Sequence, residues 1–312
     1  MKVTLIVTVL NEEKSIDAFL ESVANQTRKP DEFIVVDGGS VDWTVDKLYK
    51  SKVEAIVIIQ KDASRSEGRN FGIERAKNEI IAVTDAGCIL DKNWLLEITK
   101  PFEDENVNAV SGYFLPKTEN VFQKCIAPFF CLMPEKLEKE LKKKDFEFLP
   151  SSRSVAFKKS VWRKSGGYPE NLNYCEDLAF DQKIKKEGYK FYFVKSAVVY
   201  WPQRKNLKAV FMQFYNYAVG DGQVFFSSLQ THSFKILTIF LRYFYFFAVL
   251  ILSFKYKSTI VWLPVLIVLY LLWAILKRYR FVKDLKAVFW LPVLQITSDL
   301  AVMGGTIKGI TR

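Results

Sequence analysis

The first hundred residues alternate between short apolar runs and stretches with helical periodicity. "VTLIVTVLN" (3–11) is a β-branched run that hands over to the polar "NEEKS", after which Ile16, Phe19, Leu20 and Val23 mark one face of a helix. "DEFIVVDGGSVDWT" repeats the plan, with a strand at 33–36, an acidic, glycine-rich turn and then a helix through "TVDKLYKS". "VEAIVIIQ" reads as a third strand and "IIAVTDAG" as a fourth, reached through the helix "SEGRNFGIERAKN". Strands alternating with helices predict an α/β fold with a parallel sheet and right-handed crossovers. Ligands bind such sheets beyond the C-terminal strand ends. Three polar strand ends converge there: residues 8–12, Asp37-Gly38-Gly39-Ser40, and Asp85-Ala86-Gly87.

Past residue 100 the pattern loosens. "NAVSGYFLP" (108–116) predicts another strand, whereas "VFQKCIAPFFCLMPEKLEKELKKK" passes from aromatic to charged. That charge run reads as a solvated helix face or as a flap on the acceptor side. "NYCEDLAFDQKIKKEGYKFYFV" sets Leu178, Phe180, Ile184 and Tyr189 on a helix packed against the sheet, with Glu176 and Asp177 in its first turn. Between 206 and 230 an aromatic stripe at helical spacing suits a core or a membrane interface, and its place in the chain favours the interface.

That place is beside two long apolar runs. Residues 236–254 contain one charge, Arg242, and residues 258–276 contain none. Each is about as long as a hydrocarbon core requires at roughly 1.5 Å of rise per residue. A third run, 288–307, holds Gln295 and Asp299, and its pattern leaves spanning open. The expected organisation is therefore a domain over 1–230 and a membrane domain over 234–312 with two to three transmembrane helices.

Charge sharpens this division. The net charge is +11, and the segment from Phe234 onward holds eleven Lys/Arg against two acids, or +9 of it. The remainder is nearly neutral, which argues against a nucleic-acid partner, since that would need basic residues lining a folded face. The loop after the second span carries Lys277, Arg278, Arg280, Lys283 and Lys286, while only Lys255 and Lys257 lie between the spans. By the positive-inside rule that loop is cytoplasmic, and so is the large domain two spans earlier. The expected location is the cell membrane, multi-pass, with no signal peptide because no hydrophobic run precedes residue 230. Four cysteines without CxxC spacing and one histidine, His232, exclude a zinc site or a Cys/His or Ser/His catalytic pair, and the cysteines read as reduced.

The remaining chemistry lies in carboxylates and guanidinium groups. Asp37 after the second strand suits a base's ring N–H or ribose hydroxyls, and Gly38-Gly39 admits close approach to the backbone. The Gly68-Arg69-Asn70 corner, with Arg65 nearby, opens a helix whose exposed N–H groups and positive charge suit a diphosphate. Asp85 then lies where a metal bridging that diphosphate would be held. A hydroxyl nucleophile needs a carboxylate to take its proton as it attacks, help that contributes about 10²–10⁴-fold. Adjacent Glu176 and Asp177 cannot both point one way, so one would be the base and the other its orienter or an N-cap.

"TVLNEEKSIDAFLESVANQT", "FIVVDGGSVDWT", "GRNFGIERAKNEIIAVTDAG", "GGYPE" and "CEDLAFDQKIKKEG", in this order, resemble an inverting glycosyltransferase of family 2, over about residues 1–225. The resemblance implies the GT-A fold, a Rossmann-like nucleotide-diphospho-sugar transferase domain, and a UDP- or GDP-linked donor. It implies donor contacts at Val9, Glu12, Asp37, Gly39 and Arg69, the first acid of an Asp-x-Asp motif at Asp85, and the catalytic base at Asp177 beside Glu176. A lipid-linked or glycan acceptor, or a polyprenyl phosphate, fits the membrane tail, and Trp201, Ser152 and Arg153 fall on the expected acceptor side.

The chain departs from the family pattern at two places. Gly87 stands at the second acidic position and Cys88 follows, a sulfur too soft to replace a carboxylate on Mg²⁺ or Mn²⁺. Magnesium commonly uses one or two carboxylates plus substrate phosphates, so Asp85 alone suffices as the expected metal ligand, with weak binding before nucleotide arrives. The second departure is Tyr200-Trp201 where many relatives have a histidine. Trp201 suits stacking on a sugar or core packing, and Arg204 suits contact with the leaving diphosphate. Processive synthases carry a Gln-x-x-Arg-Trp order that "WPQR" reverses, which favours single transfer. The alternatives are a non-catalytic membrane scaffold that keeps the fold, or a nucleotidyltransferase, whose basic glycine-rich loop after the first strand is replaced here by "NEEKS".

Overall fold

The computed structural model describes residues 1–144, 146–226 and 232–311. They form two compact units: Met1–Lys117 with Pro134–Pro202, and Thr118–Met133 with Gln203–Arg312. The last part of the aromatic stretch, 227–230, lies outside the described residues.

In the first unit β1 (Val3–Val9), α1 (Ile16–Ala24), β2 (Glu32–Asp37), α2 (Thr44–Lys50), β3 (Ile56–Ile59), α3 (Arg65–Arg75) and β4 (Ile80–Val83) follow the expected alternation. After them come β5 (Ile89–Leu90), α4 (Trp94–Thr99) and β6 (Ala109–Lys117); α5 (Val121–Phe130) belongs to the second unit. The first unit resumes with α6 (Pro134–Glu140), β7 (Val155–Lys158), α7 (Lys159–Lys164), α8 (Glu176–Lys186) and β8 (Phe191–Pro202). The eight strands run in the order β3-β2-β1-β4-β7-β6-β8-β5.

The β3-β2-β1-β4 half is parallel, as the alternation requires. The other half corrects the all-parallel expectation, because β7 runs antiparallel to both β4 and β6. In this half only β6 and β8 pair parallel, and β5 runs antiparallel to β8, so the sheet is mixed. Six of the seven residues of β1 are buried, which is why it reads as a continuous apolar run rather than an alternating one. Ile6, Ile34, Ile81, Val83 and Phe157 of the sheet form a core with Phe180 and Ile184 of α8, and Tyr189 packs against it while Leu178 is only half-buried.

Helix α3 lies close on this sheet. A Cβ at Gly72 would come 3.2 Å from Cγ2 of both Ile6 and Val36, and one at Gly68 would come 3.0 Å from Thr8 Cγ2. Its start is fixed by a capping box in which Ser64 Oγ accepts from Glu67 N (3.2 Å) and Glu67 Oε2 accepts from Ser64 N (2.7 Å). The charged stretch near 120–144 divides between the units. Its aromatic half is α5, packed into the second unit's core, and its charged half is α6, which buries only Leu137.

The second unit continues with α9 (Leu207–Gln223), α10 (Ser233–Lys255), α11 (Trp262–Val282) and α12 (Ala287–Ile310). Helices α9 and α12 pack backbone to backbone: a Cβ at Gly305 would stand 2.3 Å from the Tyr215 carbonyl, and one at Gly309 2.2 Å from that of Val219. Three segments, Ser233–Lys255, Lys257–Val282 and Ala287–Ile310, are long and apolar enough to cross a membrane, with mean hydropathy 2.1, 2.5 and 1.4. The polar residues that left the third run open turn inward. Asp299 is fully buried and accepts from Arg242 Nη1 (2.6 Å), Tyr270 Oη (2.6 Å) and Gln295 Nε2 (2.8 Å). Paired in this way, a charge becomes tolerable at membrane depth.

Candidate active site

The ends of β1 and β2 are laced together. Val9 pairs with Asp37 across the two strands, and Gly38 N donates to the Val9 carbonyl at 2.9 Å. Asn11, held at a φ of 54°, accepts from Val41 N at 3.0 Å and donates its own N–H to Ser40 Oγ at 2.8 Å. Asp37 is fully buried and folds its turn around itself. Its Oδ1 accepts from Gly39 N and Ser40 N (2.8 Å each), and its Oδ2 from Ser40 Oγ (2.6 Å). Gly39 takes a φ of 96°, open only to glycine at low cost. Glu12 is half-buried; its backbone N–H donates to Thr44 Oγ1 (2.7 Å) and its carboxylate accepts from Ser15 Oγ.

Across the sheet, Asp85 lies just past β4 and keeps a third of its side chain exposed. Arg69, on α3 and only 2% exposed, donates from Nη2 to Asp85 Oδ1 at 3.0 Å and from Nη1 to Glu176 Oε1 at 2.7 Å. Burial opposes the charge on Asp85, but Arg69, Arg153 and Arg65 more than offset it and hold the carboxyl below its usual range. Burial likewise opposes the Arg69 charge, and Glu176 and Asp85 outweigh it. Tyr168 lies 5.3 Å under the Arg69 guanidinium and stacks on Phe180 at 4.1 Å. It is delivered by the Gly166-Gly167 turn, where both residues take positive φ. That turn is the "GGYPE" motif, a sequence signal that marked Tyr168 without revealing what it touches.

Adjacent acids at the start of α8 do point apart. Glu176 turns inward to Arg69, while half-exposed Asp177 accepts at Oδ2 from Ser151 Oγ (3.2 Å) and from Ser152 N (3.4 Å). Ser152 is buried, its Oγ 3.4 Å from Tyr168 Oη. Cys175, left-handed at a φ of 60°, makes the corner from which α8 starts. Two further residues complete the surroundings of Asp177. Ser151 joins Arg153 to Asp177, and Asp181, one turn past Asp177, is 3% exposed with no partner for Oδ2. Burial first, and then the Asp177 charge, push the Asp181 carboxyl well above its ordinary value.

Trp201 is 8% exposed. The Arg153 guanidinium covers one of its faces at 3.9 Å, and Phe114 meets its edge at 6.2 Å. Arg204 falls in the second unit, exposed, with Nε donating to Gln213 Oε1 at 2.9 Å. Among the described residues no group of three or more His, Cys, Asp or Glu side chains is arranged to hold a metal. The residues present fit a cation held mainly by its ligand. Asp85 offers one partly exposed carboxylate, and a Cβ at Gly87 would meet no atom within 4 Å, which leaves room beside it.

Comparisons with known proteins agree with this layout. The chain is 28% identical over 208 residues to the O-antigen chain rhamnosyltransferase RfbN of Salmonella typhimurium, a match covering 64% of this chain and 66% of that one. It is 24% identical over 231 residues to the glycosyltransferase AglE of Haloferax volcanii, covering 71% and 73%. Among solved structures it resembles the mannosyltransferase PcManGT from Pyrobaculum calidifontis, in complex with GDP-Man and Mn²⁺, at a TM-score of 0.62 and 16% identity over 99% of this chain and 86% of that one. Residues 1–349 of S. aureus TarS, in complex with UDP-GlcNAc, match at 0.52 and 20% identity over 71% and 66%. The fold is therefore that of GT-A domains, followed by long apolar helices. Residues 4–163, half of the chain and running from β1 through β7, match the family described as "Glycosyl transferase family 2", and the chain belongs to that family.

Proposed function

We propose that the protein transfers a sugar from a nucleotide-diphospho-sugar to a membrane-associated acceptor, with inversion at the anomeric carbon. The observation that carries this reading is the separation of the two acids on α8: Glu176 is locked to Arg69, which also holds Asp85, and Asp177 faces Ser151 and Ser152 with one side still open. In the reaction, an acceptor hydroxyl oxygen bonds to the anomeric carbon, the bond from that carbon to the diphosphate oxygen breaks, and the hydroxyl proton passes to Asp177. An already ionised polyprenyl phosphate would hardly need Asp177.

The donor's base and ribose would lie on the Val9–Glu12 and Asp37–Gly39 loops, whose shape Asp37 fixes through its own turn. Uracil and guanine both present a ring N–H to that edge. Arg69 holds Asp85 toward the diphosphate. Mg²⁺ or Mn²⁺ at Asp85 would neutralise the diphosphate as the glycosidic bond breaks. Ser152 and Trp201 form the acceptor side, and the description of relatives as O-antigen chain rhamnosyltransferases supports a glycan there. Three apolar helices on the same chain keep the reaction at a lipid surface, and Lys277 to Lys286 favour a cytoplasmic face for the loop and for the catalytic unit. The 1–230 domain and the 234–312 membrane domain are the corresponding division of labour.

The test is incubation of the detergent-solubilised chain with UDP- and GDP-sugars and extracted lipid-linked acceptors, with nucleoside diphosphate release and product anomeric configuration as readouts. Release with a single donor class and an inverted product is the expected result. No release with any donor, together with no UDP or GDP binding with or without Mn²⁺, would leave only the scaffold reading.

A further inference from the structure

Gly87 removes a carboxylate from the place where the family pattern has one, and the structure brings a cation to the same corner. Strands β4 and β7 pair antiparallel with Val83 opposite Val155. Past the last ladder pair the two segments stay together: Thr84 Oγ1 donates to the Arg153 carbonyl at 2.7 Å, which holds Arg153 beside the residue that precedes Asp85.

The guanidinium itself is oriented. It lies 3.9 Å over the Trp201 ring and 5.6 Å from that of Phe114, and Nη1 donates to Ser151 Oγ at 2.6 Å. A guanidinium held beside a carboxylate brings positive charge and N–H donors of the kind that bind phosphate. Arg69, the other guanidinium at this corner, has Nη1 and Nη2 committed to Glu176 and Asp85. We infer that Arg153, positioned by Trp201 and Ser151, binds the donor's diphosphate and carries charge neutralisation that a second carboxylate and its metal would otherwise supply. This rests on the nucleotide-sugar reading above and moves Arg153 from the acceptor side to the leaving group. It gives Trp201 a supporting task, and it explains how one carboxylate suffices.

The experiment is calorimetric binding of UDP and GDP to the full chain in detergent, each with Mn²⁺ and with EDTA, for wild type, Arg153→Gln and Arg153→Lys. Wild type is expected to retain measurable binding of one diphosphate in EDTA. Arg153→Gln should weaken that binding by about tenfold or more, the usual consequence of losing a charge-assisted hydrogen bond. Arg153→Lys should fall between, keeping the charge without the planar fork, and it carries the test if the glutamine variant fails to fold. Glutamine or lysine variants that bind in EDTA as tightly as wild type would overturn the inference while leaving the nucleotide-sugar reading intact. Wild-type binding that vanishes in EDTA would also overturn it, by making metal the necessary neutraliser. Absence of binding to wild type under every condition would instead overturn the nucleotide-sugar reading, and the inference with it.

Discussion

Arg69 donates to Asp85 at 3.0 Å and to Glu176 at 2.7 Å, so one buried guanidinium joins the end of β4 to the start of α8. Residues 16 and 107 positions away in the chain are thereby held in one plane. The site's two halves are positioned by the same side chain, and its loss should be felt first as stability. Replacing Arg69 with Met leaves Glu176 buried without its partner. Removing one member of a buried pair costs about 3–5 kcal/mol. Thermal unfolding of the full chain in detergent should show a clear drop in midpoint, and a variant melting with wild type would show that the bridge holds nothing.

Asp177→Asn tests the base directly. Turnover with a hydroxyl acceptor should fall by about 10²–10⁴-fold, while affinity for the nucleotide stays at the wild-type value. Glu176→Gln should differ by also lowering the melting temperature, since it breaks the Arg69 contact. Near-normal turnover in Asp177→Asn would sink the hydroxyl mechanism and point to an ionised phosphate acceptor.

Asp181 makes a prediction about pH. Its folded-state carboxyl titrates well above the ordinary value of 3.8, through burial first and then the nearby Asp177 charge. As pH rises above 3.8 the unfolded chain releases this proton and the folded chain keeps it, so the contribution to stability falls with rising pH until the folded group also ionises. Asp181→Asn removes that dependence. Its melting temperature relative to wild type should therefore rise from pH 4 toward neutrality, and a difference that is flat with pH would refute the assignment.

Gly87→Asp asks whether the missing acid can be returned. A Cβ there would meet nothing within 4 Å, so the substitution should fold normally. Adding a carboxylate raises the ligand charge on which divalent affinity depends. Mn²⁺ titrated without nucleotide should bind about tenfold more tightly, or better, than to wild type. Unchanged Mn²⁺ affinity in a folded variant would mean that Asp85 does not face a metal.

Much of this protein could be read from residue order. The runs at 3–9, 33–37 and 80–83 announced buried parallel strands because a strand covered on both faces needs apolar residues at every position. The acidic and glycine-rich residues that follow them marked the ligand end of the sheet. Two apolar spans were equally plain, since length and the near-absence of charge are properties of the chain itself. The paired acids at 176–177 were visible as a pair, although their roles were not.

Tertiary structure decided what local pattern cannot carry. The antiparallel insertion of β7 beside β4 depends on pairing between residues more than seventy positions apart, and no periodicity records that. The same pairing brought the Arg153 backbone to Thr84, next to Asp85, and the fold committed Arg69 to two acids. Asp299 looked like a break in the third span until Arg242 and Tyr270 reached it from other helices. A charged side chain's effect depends on which distant groups surround it. Sequence fixes the identity of those groups, and only folding brings them within hydrogen-bond reach.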